Sequence, residues 1–202
     1  MIRSFLPAPL PTGKLKDGLW VVRDAFVNFY VLRGPQGLIC LDAGWRPGHA
    51  GRSLNALGLD PAQVVAVLLT HGHWDHSWGA RAFPKAKVLF AGGARACPDS
   101  TGATLDPTGL GVRVIPCPGH SADSVAYLSE DGDLFTGDTV WLQGGMAQPN
   151  PWWLNAANGR LRTSLRRLAS LEAAGGLYTG HRGCVADAAH ALLPWLGDTE
   201  DP

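Results

Sequence analysis

Apolar residues fall into two rhythms along this chain. Early on they form short blocks, LWVV (19–22), FVNFYVL (26–32) and GLICLD (37–42), parted by turn residues such as Gly34-Pro35. Such blocks predict strands. GHAGRSLNALG (48–58) predicts a short helix closed by Gly58. After Pro61, VVAVLLT (64–70) is a continuous apolar run, as in a strand covered on both faces. SWGARAF (77–83) predicts one or two helical turns and KVLFAG (87–92) a strand, while 93–111, rich in Gly, Pro, Thr and Asp, predicts a long loop. VRVIPC (112–117), SVAYLS (124–129) and DLFTGDTV (133–140) predict three more strands, and the Trp-rich 141–155 reads as irregular. Leu161, Leu165, Leu168 and Leu171 then mark one helix stripe, with Arg160, Arg162, Arg166 and Arg167 off it. Gly175-Gly176 stops that helix, LYTG gives a short strand, and VADAAHALLPWL a final helix. Strands that first run together and then mix with helices predict an α/β or α+β layered fold. With no repeat and no linker, residues 1–202 are expected to form a single domain.

Composition narrows the function classes. Lys+Arg 17 balances Asp+Glu 17, which argues against a general nucleic-acid binder. No apolar stretch approaches a membrane span, and the three prolines in MIRSFLPAPLPTGK make a poor secretion signal. Four cysteines without CxxC spacing (Cys40, Cys97, Cys117, Cys184) predict reduced thiols and a cytoplasmic protein. Cys40 and Cys117 read as small buried hydrophobes, whereas Cys184, three residues after His181, could lie near a site.

The chemistry is concentrated where strands end. THGHWDHSWGA (70–80) holds His71, His73, Asp75 and His76 directly behind the apolar run, and crowded imidazoles need something to hold them. His120 in CPGHSADS, Asp138 in FTGDT, His181 in YTGH and Asp42 in ICLDAG have the same address, each beyond a predicted strand and beside glycine. If the strands share a sheet edge, these side chains converge. Imidazole and carboxylate without thiolate suit Zn(II), Fe(II), Mn(II) or Co(II) at a catalytic centre. Five histidines and two aspartates exceed one tetrahedral ion but suffice for two ions about 3.5–4 Å apart. On an extended loop, residues 71 and 73 point one way, leaving Asp75 and His76 to turn toward a second ion. His49 and His190 read as ordinary surface residues.

HGHWDH, PGHSADS, TGDT and TGH, in this order, resemble the metallo-β-lactamase fold superfamily of metallo-hydrolases, as do the lead-in LGLDPAQVVAVLLT and the LDAG turn. The resemblance runs from about the first strand to His181. It implies an αβ/βα four-layer sandwich, two mixed β-sheets flanked by helices, with the metals at one edge. It implies that His71, His73 and His120 hold a first ion, that Asp75, His76 and His181 hold a second, and that Asp138 bridges them. Asp42 and Thr70 match positions that orient ligand histidines. Asp138 resembles the glyoxalase II, lactonase and general hydrolase branches. Glyoxalase II adds a C-terminal helical region for glutathione, whereas one short helix follows His181, so the expectation is a small hydrolase of unassigned substrate.

The expected function is hydrolysis of an ester, lactone, thioester or related bond in a small-molecule substrate by a metal-bridging hydroxide. Two divalent ions are expected, zinc first and iron or manganese as alternatives, with Asp75 as the catalytic proton shuttle. A mononuclear iron sulfur dioxygenase and a phosphodiesterase are the alternatives on this scaffold. Trp141, Trp152, Trp153 and Phe29 are candidates for an apolar substrate wall, and Trp74 reads as a packing residue. No nucleic-acid or membrane partner is expected, and the oligomeric state is left open, a homodimer being one option.

Overall fold

Residue alternation along the strands dictates three layers of core. The computed structural model describes residues 8–90 and 109–197. Along β2 (Leu19–Asp24) and β4 (Gly37–Leu41), Leu19, Val21, Ile39 and Leu41 face one way, and Trp20, Val22, Leu38 and Cys40 the other. Together with β1 (Gly13–Lys16), β3 (Val27–Gly34), β5 (Val64–Leu69) and β6 (Lys87–Phe90) they form a six-stranded sheet in sequence order. β1 to β4 pair antiparallel, and β4, β5 and β6 parallel. The second sheet has the order β13 (Cys184–Val185), β12 (Leu177–Thr179), β9 (Leu134–Gly137), β8 (Val125–Ser129), β7 (Val112–Pro116).

The central core joins Val21, Tyr30, Ile39, Leu41 and Leu68 of the first sheet to Val112, Tyr127, Phe135 and Tyr178 of the second. The outer face of the first sheet is covered by α1 (Pro47–Ala56) and by the 3-10 turn Trp78–Ala82. α1 starts with Pro at its first position and buries Ala50, Ser53 and Leu54. The outer face of the second sheet is covered by α3 (Asn158–Ala169), through Leu165 and Leu168, and by α4 (Ala188–Leu192). The layers therefore run helix, sheet, sheet, helix, as the resemblance implies. Among the described residues no helix is long and apolar enough to cross a membrane.

Four local expectations need correction. The helix after the histidine cluster starts earlier than Ser77: α2 spans Trp74–Ser77, so Asp75 and His76 sit on its first turn rather than on an extended loop. Residues 141–155 are only partly irregular, because β10 (Trp141–Gln143) and β11 (Met146–Gln148) form a hairpin around Gly144-Gly145, both at positive φ. β1 and β13 were not expected, being short and mixed in polarity. Phe29 is fully buried in the core beneath α1 and lines no opening. Cys97 and most of the 93–111 loop lie outside the described residues.

The 3-10 turn Trp78–Ala82 packs so closely that one side chain is forbidden. Gly79 donates its N–H to the Gly44 carbonyl at 2.8 Å, and a Cβ at Gly79 would stand 1.8 Å from the Ala43 carbonyl oxygen. Gly79→Ala is expected to push this turn off the 42–46 loop and cost about 1–3 kcal/mol. Chemical denaturation checks this, with an unchanged midpoint as the contrary result.

Candidate metal centre

All seven predicted residues are brought together. β4 and β5 run parallel, and β7, β9 and β12 also share one direction, since β8 is antiparallel to both β7 and β9. Asp42, Thr70 and Asp138 follow directly on β4, β5 and β9, and His181 follows β12 after Gly180, so these strand ends deliver their side chains to one place. Candidate donor atoms fall into two groups, each within 4.8 Å: His71, His73, His120 and Asp138, and Asp75, His76 and His181. In the first, His73 Nδ1 lies 3.0 Å from both His71 Nε2 and His120 Nε2. In the second, His181 Nε2 lies 3.4 Å from Asp75 Oδ2 and 3.4 Å from His76 Nε2.

Asp138 stands between the groups. Its Oδ2 is 3.5 Å from His120 Nε2 and 3.3 Å from His181 Nε2, and its Oδ1 is 3.3 Å from His76 Nε2. Oδ1 is buried yet receives no hydrogen bond of acceptable geometry among the described residues. Close approach of the backbone makes this possible: a Cβ at Gly180 would come within 2.6 Å of Asp138 Oδ1 and of His76 Cε1.

The outer ring nitrogens are held so that the inner ones keep their lone pairs. His76 Nδ1 donates to Asp42 Oδ2 at 2.7 Å, and His181 Nδ1 to the Phe26 carbonyl at 2.8 Å. The Thr70 hydroxyl donates to Asp42 Oδ2 at 2.9 Å, which leaves its oxygen to accept from His71 Nδ1 at 3.0 Å. Asp42 does this from a left-handed backbone conformation, φ 60°. Imidazoles fixed in this tautomer, a buried carboxylate oxygen without a hydrogen bond, and the absence of thiolate together fit a pair of divalent cations.

Sequence reasoning missed three residues here. Asn150 is buried and donates to the Asp138 carbonyl at 2.7 Å, with the same Nδ2 3.4 Å from His120 Nδ1. Asn155 faces His120 and favours its proton. Phe26 stacks on His181, ring centres 5.8 Å apart. The asparagines lie in NPWWLN, which has no ligand spacing to betray them, and Phe26 is at the tip of a turn without glycine. Cys184 belongs to no donor group: it is half-buried against the central core, and burial followed by the Asp133 charge raises its thiol pKa. Trp141 is buried under the Arg182 guanidinium at 5.0 Å, whereas Trp152 and Trp153 are 71% and 57% exposed.

Relatives decide the family. The sequence profile of the Metallo-beta-lactamase superfamily matches residues 22–89. The hydroxyacylglutathione hydrolase of Halorhodospira halophila is 31% identical over 195 residues, covering 91% of this chain and 69% of that protein. The chain belongs to the metallo-beta-lactamase superfamily. The hydroxyacylglutathione hydrolase of Xanthomonas campestris is 34% identical over 157 residues, 72% of this chain. The chain spans 58% of the length of that relative. A metallo-beta-lactamase structure from Erythrobacter litoralis superposes with a TM-score of 0.70 at 18% identity, covering 91% of this chain and 94% of the other, which is a likeness of fold. The four-layer sandwich is thus the superfamily's own.

The two donor groups differ in charge preference. For His71, burial and then the His76 charge push the pKa well down. Burial also lowers that of His120, against the pull of Asp138. For His76 burial acts the same way, but Asp138 and Asp42 outweigh it and the pKa is raised well above the usual range. Burial is likewise outweighed at His181, by the Asp138 charge and by hydrogen bonds it donates to Asp138 and Asp75, and its pKa is pushed up to about 10. Protein stripped with EDTA should therefore bind more protons folded than unfolded between about pH 6.5 and about pH 10, and its stability should fall as pH rises through that window. Below pH 6.5 the depressed His71 and His120 work the other way, and stability is lost as pH falls. Thermal melts of the stripped protein at about pH 7 and about pH 9.5 check this, a higher melting temperature at the alkaline value being the contrary result.

Proposed function

We propose that this chain is a binuclear metal-dependent hydrolase that cleaves an ester, lactone or thioester in a small-molecule substrate. The observation that carries the reading is Asp138, whose carboxylate lies within 3.5 Å of histidine nitrogens of both donor groups. In this reading His71, His73 and His120 hold one ion, Asp75, His76 and His181 the other, and Asp138 bridges. Zinc is the resident metal in this reading, and iron and manganese are the alternatives that the same donors accept. The acyl class is supported by the relatives, named as hydrolases of a hydroxyacylglutathione.

When bound, two divalent ions supply Lewis acidity toward a carbonyl oxygen and bring the pKa of a water toward neutrality. The chain's own residues do the rest. Asp42 and Thr70 orient His76 and His71 from behind, and the Phe26 carbonyl orients His181. Asp75 remains ionised, since hydrogen bonding from His181 and the His76 charge outweigh its burial. It can therefore take the proton from the attacking water and deliver it to the leaving group.

Protein purified without added metal should carry two ions per chain, by elemental analysis, and should hydrolyse members of an ester, lactone and thioester panel in preference to phosphodiesters. One iron per chain, with oxygen uptake on a persulfide, would overturn the hydrolase reading. Asp138→Ala should retain at most one ion and lose at least about 100-fold in kcat; two retained ions with normal turnover would refute the bridging role. Asp42→Asn keeps a residue tolerant of left-handed backbone but removes the charge behind His76. It should weaken binding of the second ion about 10–100-fold, read by competition with a chromophoric chelator.

A further inference from the structure

Four aromatic side chains form one connected surface beside the donor groups. Phe26, at the turn between β2 and β3, stacks on His181 with its ring plane 13° from the imidazole, and meets the edge of Trp74 at 6.0 Å. Trp74 in turn meets Trp45 at 5.6 Å and Trp78 at 6.0 Å. Trp74 follows His73 and precedes Asp75 in the chain, yet it is 45% exposed, and Trp78 is 52% exposed. Exposed aromatic rings that touch one another in a contiguous patch mark a ligand or partner site, which single exposed rings do not. Here the surface is continuous with the reacting centre through His181, whose Nε2 lies 3.4 Å from Asp75.

The cation at the edge of this surface is anchored away from the rings' open faces. Arg46 lies over the Trp45 ring at 5.1 Å, and its Nε bonds the buried Asp24 at 2.5 Å. Rings set edge to face present alternating edges and faces, the geometry that receives a further aromatic ring.

We propose that Trp74, Trp78 and Phe26 form the acyl-binding wall, and that it selects substrates whose acyl group carries an uncharged aromatic ring. This rests on the hydrolase reading above and names its substrate class. Trp74 and Phe26 act as specificity-determining residues: they hold the acyl ring so that the carbonyl carbon faces Asp75 and the donor groups.

The test separates binding from turnover. Zinc-loaded protein is titrated calorimetrically with phenylacetate and with acetate, and kcat/KM is measured for the phenylacetyl and acetyl thioesters of one small thiol. Phenylacetate should bind at least about tenfold more tightly than acetate, and the phenylacetyl thioester should lead by a similar factor, carried in KM. Trp74→Ala and Phe26→Ala should reduce both preferences to within about twofold at unchanged zinc content, and Trp74→Phe should keep most of them. If Trp74→Ala loses zinc, Trp78→Ala and Trp74→Phe decide in its place. No preference in the unaltered protein, or a preference that survives Trp74→Ala, overturns the proposal. So does a dimer that Trp78→Asp splits while the acyl preference is unaffected, since the wall would then be a contact between copies. Tight phenylacetate binding with no turnover of the phenylacetyl thioester, of the matching ester or of an aromatic lactone leaves the wall standing and overturns the hydrolase reading alone.

Discussion

The Asp42 carboxylate is the interaction on which the rest of the site depends. One oxygen accepts from the Thr70 N–H at 2.7 Å, and the other from His76 Nδ1 at 2.7 Å and the Thr70 hydroxyl at 2.9 Å. Through Thr70 it also sets His71, so one side chain orients a histidine in each donor group. The position is costly, because left-handed backbone at a residue with a Cβ costs about 1–2 kcal/mol and a buried carboxylate must be fully hydrogen-bonded. The bonds it receives offset that cost only while the ends of β4 and β5 stay in register. Site geometry and sheet register are therefore one constraint.

A second constraint fixes how closely the two sheets approach. β9 and β12 end at Gly137 and just before Gly180, and a Cβ at Gly137 would stand 2.2 Å from the Thr70 hydroxyl. Asp138 of the second sheet can reach the histidines that follow the first because these positions carry no side chain. Asp24 plays the matching role on the outer side. Fully buried, it accepts from the Trp45 and Arg46 backbone and ties the end of β2 to the loop leading into α1. The metal-capable edge is thus braced from both sheets and from the helix layer.

What the sequence made legible follows from these constraints. The longer strands were readable because a run of apolar residues is a local property, whereas the short β1, β10, β11 and β13 carry too few apolar positions to show. The seven donors were readable because each follows an apolar run that must end. Phe26 was not, although Phe29 in the same block was considered. The pairing of Asp24 with Val27 leaves Ala25 and Phe26 at the turn, with Ala25 at φ 58°, and the segment DAFV carries no glycine or asparagine to announce it. Register therefore decided which phenylalanine is core and which faces the site. Asn150 and Asn155 were hidden for a related reason: they act through the Asp138 carbonyl and the His120 ring, partners set by folding and not by spacing.

The opposed charge preferences of the two groups complete the physical picture. Neutral imidazoles at His71 and His120 contribute no charge, while Asp42, Asp75 and Asp138 gather three carboxylates within a few residues of one another in space. Without cations, His76 and His181 answer that charge by holding protons. In the proposed binuclear state, two divalent ions would take over this role and those protons would leave. Four positive charges against three negative ones would leave the centre with about one net positive charge before a hydroxide is counted, inside a chain whose formal net charge is zero. An anionic transition state would then be favoured at this point, where the three carboxylates set how much of the ions' charge is left uncompensated.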